Sequence, residues 1–208
     1  MTIKTYNFFA PTRVLFGEGQ LQNLHTLKMP GKKAMIVTSN GQSTIKNGSL
    51  EATKNELEWT HTDYAVFNKV AANPLKSVVE EGAQFARDNG CDFVIALGGG
   101  SVMDAAKNMA MLAPQDTNDL WDFVFTEHGK KQTPTKPVLP WIAITTSAGT
   151  GSEVDSAGVI TNPETKEKIG VGGFSGMMAT YAIVDPVLMK TVPANILLIR
   201  ALMLCSIA

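Results

Sequence analysis

The sequence predicts an α/β domain built on a mostly parallel sheet with helices on both faces. Three observations carry that prediction. Short apolar runs alternate with helical patterns through the first two-thirds of the chain, the sequence form of βαβ units. Phe93-Val94-Ile95-Ala96-Leu97 is apolar at every position, as a parallel strand covered on both faces should be. A triple glycine, Gly98-Gly99-Gly100-Ser101, follows that strand directly and opens the helical pattern Val102-Met103-Asp104-Ala105-Ala106-Lys107.

Val14-Leu15-Phe16 reads as a first strand closed by Gly17-Glu18-Gly19, and residues 20–27 read as a first helix with Leu21, Leu24 and Leu27 on one side. Residues 34–38 form the next apolar strand, which runs into the polar turn Ser39-Asn40-Gly41-Gln42-Ser43. Asn73-Pro74 reads as a helix start, the asparagine capping and the proline at the first helical position. That helix is expected to run to about Asn89, burying Leu75, Val78, Val79, Gly82, Ala83 and Ala86 on one face before Asn89-Gly90 stops it. Residues 140–147 are another strand, leading into a second glycine and hydroxyl loop, Ser147-Ala148-Gly149-Thr150-Gly151-Ser152-Glu153. Residues 154–160, 169–171 and 181–184 read as shorter strands, with Asn162-Pro163-Glu164-Thr165 as a turn between the first two. From Asp185-Pro186 onward the pattern is helical and mostly apolar.

The 208 residues exceed a typical domain of about 150 residues and fall short of two, so one full domain plus a fragment is the simplest fit. A hydrophobic content of 44% against 18% charged residues supports a sizeable buried core and excludes disorder as the default. A net charge of −1 with no Lys/Arg cluster gives little reason to bind nucleic acid. Cys91 and Cys205 lie outside any CxxC spacing, which suits core thiols in a reducing cytosol. The N-terminus lacks the basic and apolar regions of a signal peptide, and no run reaches the roughly 18 apolar residues of a membrane span. A soluble, cytoplasmic protein is the expectation.

Glycines between a buried strand and a helix let the backbone approach a phosphate closely and point N–H groups at it, and the helix N-terminus adds partial positive charge. The spacing is not GxGxxG, since Met103 occupies the third glycine position, so a tight turn without a ligand stands beside the phosphate reading. Hydroxyls from Thr146, Ser147, Thr150 and Ser152 suit the phosphates and ribose of a nucleotide at the carboxyl ends of the strands. A turn that satisfies its own backbone is the other reading.

Phe16-Gly17-Glu18-Gly19, Asn73-Pro74, Gly98-Gly99-Gly100-Ser101 with Asp104 and Lys107, Thr146 through Glu153, and Asp185-Pro186 together resemble the iron-dependent (group III) alcohol dehydrogenases, over about residues 6–193. The resemblance implies a Rossmann-like N-terminal domain, of the kind shared with dehydroquinate synthase, paired with an all-helical C-terminal domain. It further implies hydride transfer between NAD(P)H and an aldehyde or alcohol at a divalent metal, iron or zinc. By resemblance, Gly98, Gly99, Gly100 and Ser101 hold the pyrophosphate, Asp104 supports the turn, and Thr146, Ser147 and Thr150 contact phosphates and the nicotinamide ribose. Asn73 and Lys168 match positions near the cofactor. Asn40, Gly41 and Ser43 stand where NAD-preferring members tend to place an aspartate for the adenosine ribose. Without a carboxylate to repel a 2′-phosphate, NADP(H) is favoured over NAD(H). The segment through Lys46-Asn47-Gly48 resembles the NADPH-dependent butanol dehydrogenase branch.

The resemblance fails after Thr191-Val192-Pro193. The family continues into a helix carrying a metal-ligand aspartate and, four residues on, a histidine, with two later histidines, whereas residues 194–208 here contain no Asp, Glu or His. His25, His61 and His128 form no pair at metal spacing. The expectation is therefore a nucleotide-binding α/β domain over residues 1–185, only the start of a helical domain over 186–208, no metal ligand, no catalytic residue and little or no activity, through a frameshift or premature stop. The apolar tail, with Ile196, Leu197, Ile199, Leu202, Met203 and Leu204, is expected to fold back, be disordered or pair with another chain, and a homodimer is predicted. Two other readings are a non-catalytic nucleotide-binding or interaction module and a glycerol dehydrogenase-like relative.

Overall fold

The computed structural model describes residues 9–192. Among them run eight strands, β1 (Arg13–Phe16), β2 (Lys33–Ser39), β3 (Asp63–Val70), β4 (Phe93–Gly98), β5 (Trp141–Thr145), β6 (Ala157–Asn162), β7 (Glu167–Gly172) and β8 (Tyr181–Val184). Four α-helices accompany them: α1 (Ser43–Lys46), α2 (Ser49–Trp59), α3 (Lys76–Asp88) and α4 (Gly100–Leu112). Six strands form one sheet in the order β1-β8-β5-β4-β2-β3, every pairing parallel, while β6 and β7 make a separate antiparallel hairpin.

Strand alternation divides the core in two. Met35, Val37, Val94, Ala96, Ala143 and Ala182 point to the face covered by α3 and α4, where Val79, Ala83, Met103, Ala106 and Met109 meet them. Ala34, Ile36, Phe93, Ile95, Leu97, Ile142, Ile144 and Ile183 point the other way, onto Leu21, Leu24, Leu57 and Leu188. Both faces of β4 are therefore buried, which is why its sequence has no polar alternation. Each Val, Leu, Ile, Met or Phe among them contributes about 1.5–3 kcal/mol through burial.

Several local expectations change. Leu21–Thr26 is a 3₁₀ helix rather than an α-helix. Leu21, Leu24 and Leu27 recur every third residue, the period at which 3₁₀ side chains eclipse, and all three are buried. Asn73 does not cap α3: it takes φ +54°, and the helix starts at Lys76 after an extended Leu75. The hairpin claims this segment instead. The Pro74 carbonyl accepts from the Thr161 N–H at 2.9 Å, and Leu75 bridges to Thr161, so Leu75 is 38% exposed and not part of the buried helix face. The strand expected over 154–160 begins only at Ala157, because Ser152–Val154 turns as a 3₁₀ segment. β5 stops at Thr145, leaving Thr146 and Ser147 in the following loop.

Cys91 is a buried free thiol, and burial pushes its pKa up. No helix among the described residues is long and apolar enough to cross a membrane. Cys205 and the apolar tail lie outside the described residues.

Candidate functional site

The chain runs outward from β2 to β3 and then returns to β4 on the opposite side of β2. Open parallel sheets bind ligands outside the carboxyl ends of the strands at such a reversal. Here that edge holds two adjoining clefts, of about 430 and 260 Å³, which share Gly100, Ser101 and Thr150. The smaller is walled by Ser39 and the end of β3, Val70-Ala71-Ala72, and the larger by Asn73, Asp104, Asp155, Val159 and Lys168.

The glycines allow the two loops to touch. A Cβ on Gly100 would lie 2.8 Å from Thr150 Cγ2 and 3.1 Å from Thr150 Cβ, and one on Gly99 would lie 2.7 Å from Ser147 Oγ. Gly100 opens α4: the Val102 and Met103 N–H groups already donate to the Gly99 carbonyl at 3.0 and 3.1 Å, so it is the Gly100 and Ser101 N–H groups, ahead of the first helical bond, that stand at the cleft with the helix's positive end. Ser147 is buried behind Gly99 and lines neither cleft, and its hydroxyl has no hydrogen-bond partner among the described residues. A side-chain-free cradle and orphan donors fit a phosphate-bearing ligand.

Asp104 supports this arrangement from below. Its carboxylate accepts from Ser152 Oγ at 2.6 Å and from the Val159 N–H at 3.0 Å, joining α4 to the second loop and to the hairpin. On the far wall, Lys168 Nζ donates to Asn73 Oδ1 at 2.8 Å, which explains the left-handed Asn73 better than a capping role does. Gly98 ends β4 in the core, and its carbonyl accepts from the half-buried Thr146 N–H at 2.9 Å. Asn40, Gly41 and Ser43 are exposed beyond β2 and line neither cleft, although the Asn40 N–H is held by the Val70 carbonyl at 2.9 Å. Ala71, Ala72 and Val159 were not legible as site residues, since their pattern is that of ordinary strand ends.

The hairpin that carries Lys168 is anchored through its neighbour. Glu167 accepts from Trp121 Nε1 at 2.8 Å and Thr165 Oγ1 at 2.8 Å and pairs with His128 Nδ1 at 3.2 Å, and these contacts, Trp121 foremost, lower its pKa to about 2. A depressed carboxylate contributes stability that is fully present above its unfolded value, about 4.3, and is lost as pH falls toward 2. Urea midpoints between pH 6 and 2 should therefore fall in the parent. Glu167→Gln should start lower and flatten this acid limb; an unchanged slope would mean that other carboxylates govern it.

Comparison with known proteins assigns the lineage. The sequence profile described as iron-containing alcohol dehydrogenase matches residues 11–186. The chain belongs to that family. Relatives of this iron-containing alcohol dehydrogenase chain include the NADH-dependent butanol dehydrogenase B of Clostridium acetobutylicum, 37% identical over 91% of this chain and 47% of its own length. Another is the probable NADH-dependent butanol dehydrogenase 1 of Bacillus subtilis, at 35% over 93% and 48%. An archaeal alcohol dehydrogenase from a Red Sea brine pool superposes with a TM-score of 0.87 at 36% identity, covering 98% of this chain and 51% of that one. The chain thus spans about half the length of the curated relatives it matches.

No three His, Cys, Asp or Glu side chains converge to hold a metal ion among the described residues of this alcohol dehydrogenase chain. His25 pairs with Glu56 at 2.7 Å, and His128 pairs with Glu167. None of these four residues lines either cleft.

Proposed function

We propose that this chain binds NADP(H), and NAD(H) less tightly, as the nucleotide-binding part of an alcohol dehydrogenase that interconverts an aldehyde and an alcohol. The observation that carries the reading is the pair of clefts at the sheet reversal, roofed by two loops that meet only because residues 99 and 100 have no side chains. In this reading Gly98, Gly99, Gly100 and Ser101 hold the pyrophosphate, Thr146, Ser147 and Thr150 contact phosphate and ribose, and Asn73 and Lys168 close the wall. Asn40, Gly41 and Ser43 border the adenosine ribose. Two of the relatives are named NADH-dependent, while the lack of a carboxylate anywhere in residues 39–43 supports tolerance of a 2′-phosphate. When bound, the nicotinamide supplies or accepts the hydride; the protein's part is to orient it and to exclude water.

The reading takes residues 1–185 as the nucleotide-binding unit and 186–208 as the opening of a helical one, in a cytoplasmic protein. Self-association belongs to the same proposal and is supported by the exposure of Val14 (48%) and Phe16 (73%) on the edge strand β1.

Calorimetric titration with NADPH and NADH, followed by butanal reduction with iron or zinc added, tests the reading. NADPH is expected to bind more tightly than NADH, with no metal-dependent turnover. Tighter NADH binding would reverse the cofactor preference, and turnover would place metal ligands outside the described residues. A nucleotide-binding module without catalysis predicts binding alone.

A further inference from the structure

Lys107 has no exposed surface, and every residue from Ala105 to Leu112 around it on α4 is buried. A methionine would fill the same volume without the cost of desolvating a charge, so burial alone does not account for an ammonium here. Its partners do. Nζ donates to the Ser152 carbonyl at 2.9 Å, Ser152 Oγ at 3.0 Å, the Ala157 carbonyl at 3.0 Å and the Asp155 carbonyl at 3.4 Å, and it pairs with the Asp155 carboxylate. It also lies 5.5 Å from the centre of the Trp141 ring. All the acceptors belong to one segment, 152–157, between the second glycine loop and the hairpin. One helical turn earlier, Asp104 grips the start of this segment through Ser152 Oγ and the strand that follows it through the Val159 N–H. A carboxylate and an ammonium three residues apart on α4 therefore hold the loop that lays Thr150 over Gly100.

We propose that Lys107 is a positioning residue for the nucleotide site: its buried ammonium fixes segment 148–157 against the start of α4, and so sets nucleotide affinity without touching the nucleotide. The proposal rests on the nucleotide reading above. Its mechanism is distance in the loop rather than charge in the cleft, since Asp155 neutralises the ammonium and four neutral acceptors share its protons.

The test compares the parent with Lys107→Met, Lys107→Arg and Ser152→Ala. Affinity for NADPH is read from the nicotinamide fluorescence, amide hydrogen exchange is mapped along the free chain, and near-ultraviolet circular dichroism reports that each variant is folded. Folded Lys107→Met should bind NADPH at least tenfold more weakly and exchange faster over 148–157 while β4 and β5 stay protected. Lys107→Arg, which keeps the charge and the donors, should recover part of both. Ser152→Ala, which removes one acceptor and disturbs the core least, should weaken binding severalfold, and it keeps the idea testable if Lys107→Met does not fold. Parent-like affinity in folded Lys107→Met or Ser152→Ala overturns the proposal. Failure of the parent to bind either NADPH or NADH overturns the nucleotide reading instead, and the exchange map then decides alone whether Lys107 holds the loop.

Discussion

Gly158→Ala is expected to destabilise the fold by about 3 kcal/mol, the upper end of ordinary overpacking, because the new methyl group has only fixed atoms to meet. A Cβ there would sit 2.5 Å from the Asp104 carbonyl oxygen and 2.8 Å from Asp104 Cα, backbone atoms of α4 that no rotamer change can move. Asn108 Nδ2, at 2.6 Å, is itself tied to the Asp104 carbonyl and cannot swing away freely. Relief requires β6 to lift off α4, which breaks the bond from the Val159 N–H to the Asp104 carboxylate. For a protein of this size the loss corresponds to a fall in Tm of about 6–12 °C. Urea unfolding checks the free energy, and a midpoint matching the parent would mean that strand and helix have room to separate.

Gly100→Ala should separate binding from stability. Alanine favours the helix over glycine by up to about 1 kcal/mol, so Tm should hold or rise. The same methyl group meets Thr150 at 2.8 Å and pushes the second loop off the start of α4, where a phosphate has to approach the backbone. A loss of about 2 kcal/mol in binding, or roughly 30-fold in Kd for NADPH, is expected. Calorimetric titration at matched temperature decides, and undiminished affinity would place the nucleotide elsewhere than this cradle.

The parts of the fold that were readable in the sequence are those governed by short-range periodicity. Phe93 through Leu97 reads as a two-faced parallel strand, which the fold extends by one residue to Gly98, and the strand at 181–184 has its expected limits. What escaped were long-range claims on local segments. Asn73-Pro74 has the chemistry of a helix cap, yet Thr161, 87 residues after Pro74, uses the Pro74 carbonyl and Lys168 uses the Asn73 side chain. In the candidate site, glycines and hydroxyl loops announced themselves because their composition is unusual. Ala71, Ala72 and Val159 did not, since small apolar residues at strand ends look alike wherever they lie. Lys107 left a faint signal, a lone charge among Ala105, Ala106, Met109 and Ala110, that only its partners on the second loop make interpretable.

The pairing of β1 with β8 has a kinetic consequence. Arg13 meets Tyr181 across 168 residues, and within the described sheet β1 has no other neighbour. The backbone of Leu21 likewise waits for the Asp185 carboxylate, at 3.3 Å, which also caps the turn after β8 through Val187. During synthesis the first strand therefore emerges long before its partner exists, so the edge of the sheet closes late, after β2, β3, β4 and β5 have assembled. Loop-closure entropy makes such a distant contact slow to form, and a nascent chain stalled before residue 181 would leave the backbone edges of β1 and β5 that β8 joins open to chaperones or to another unfinished copy.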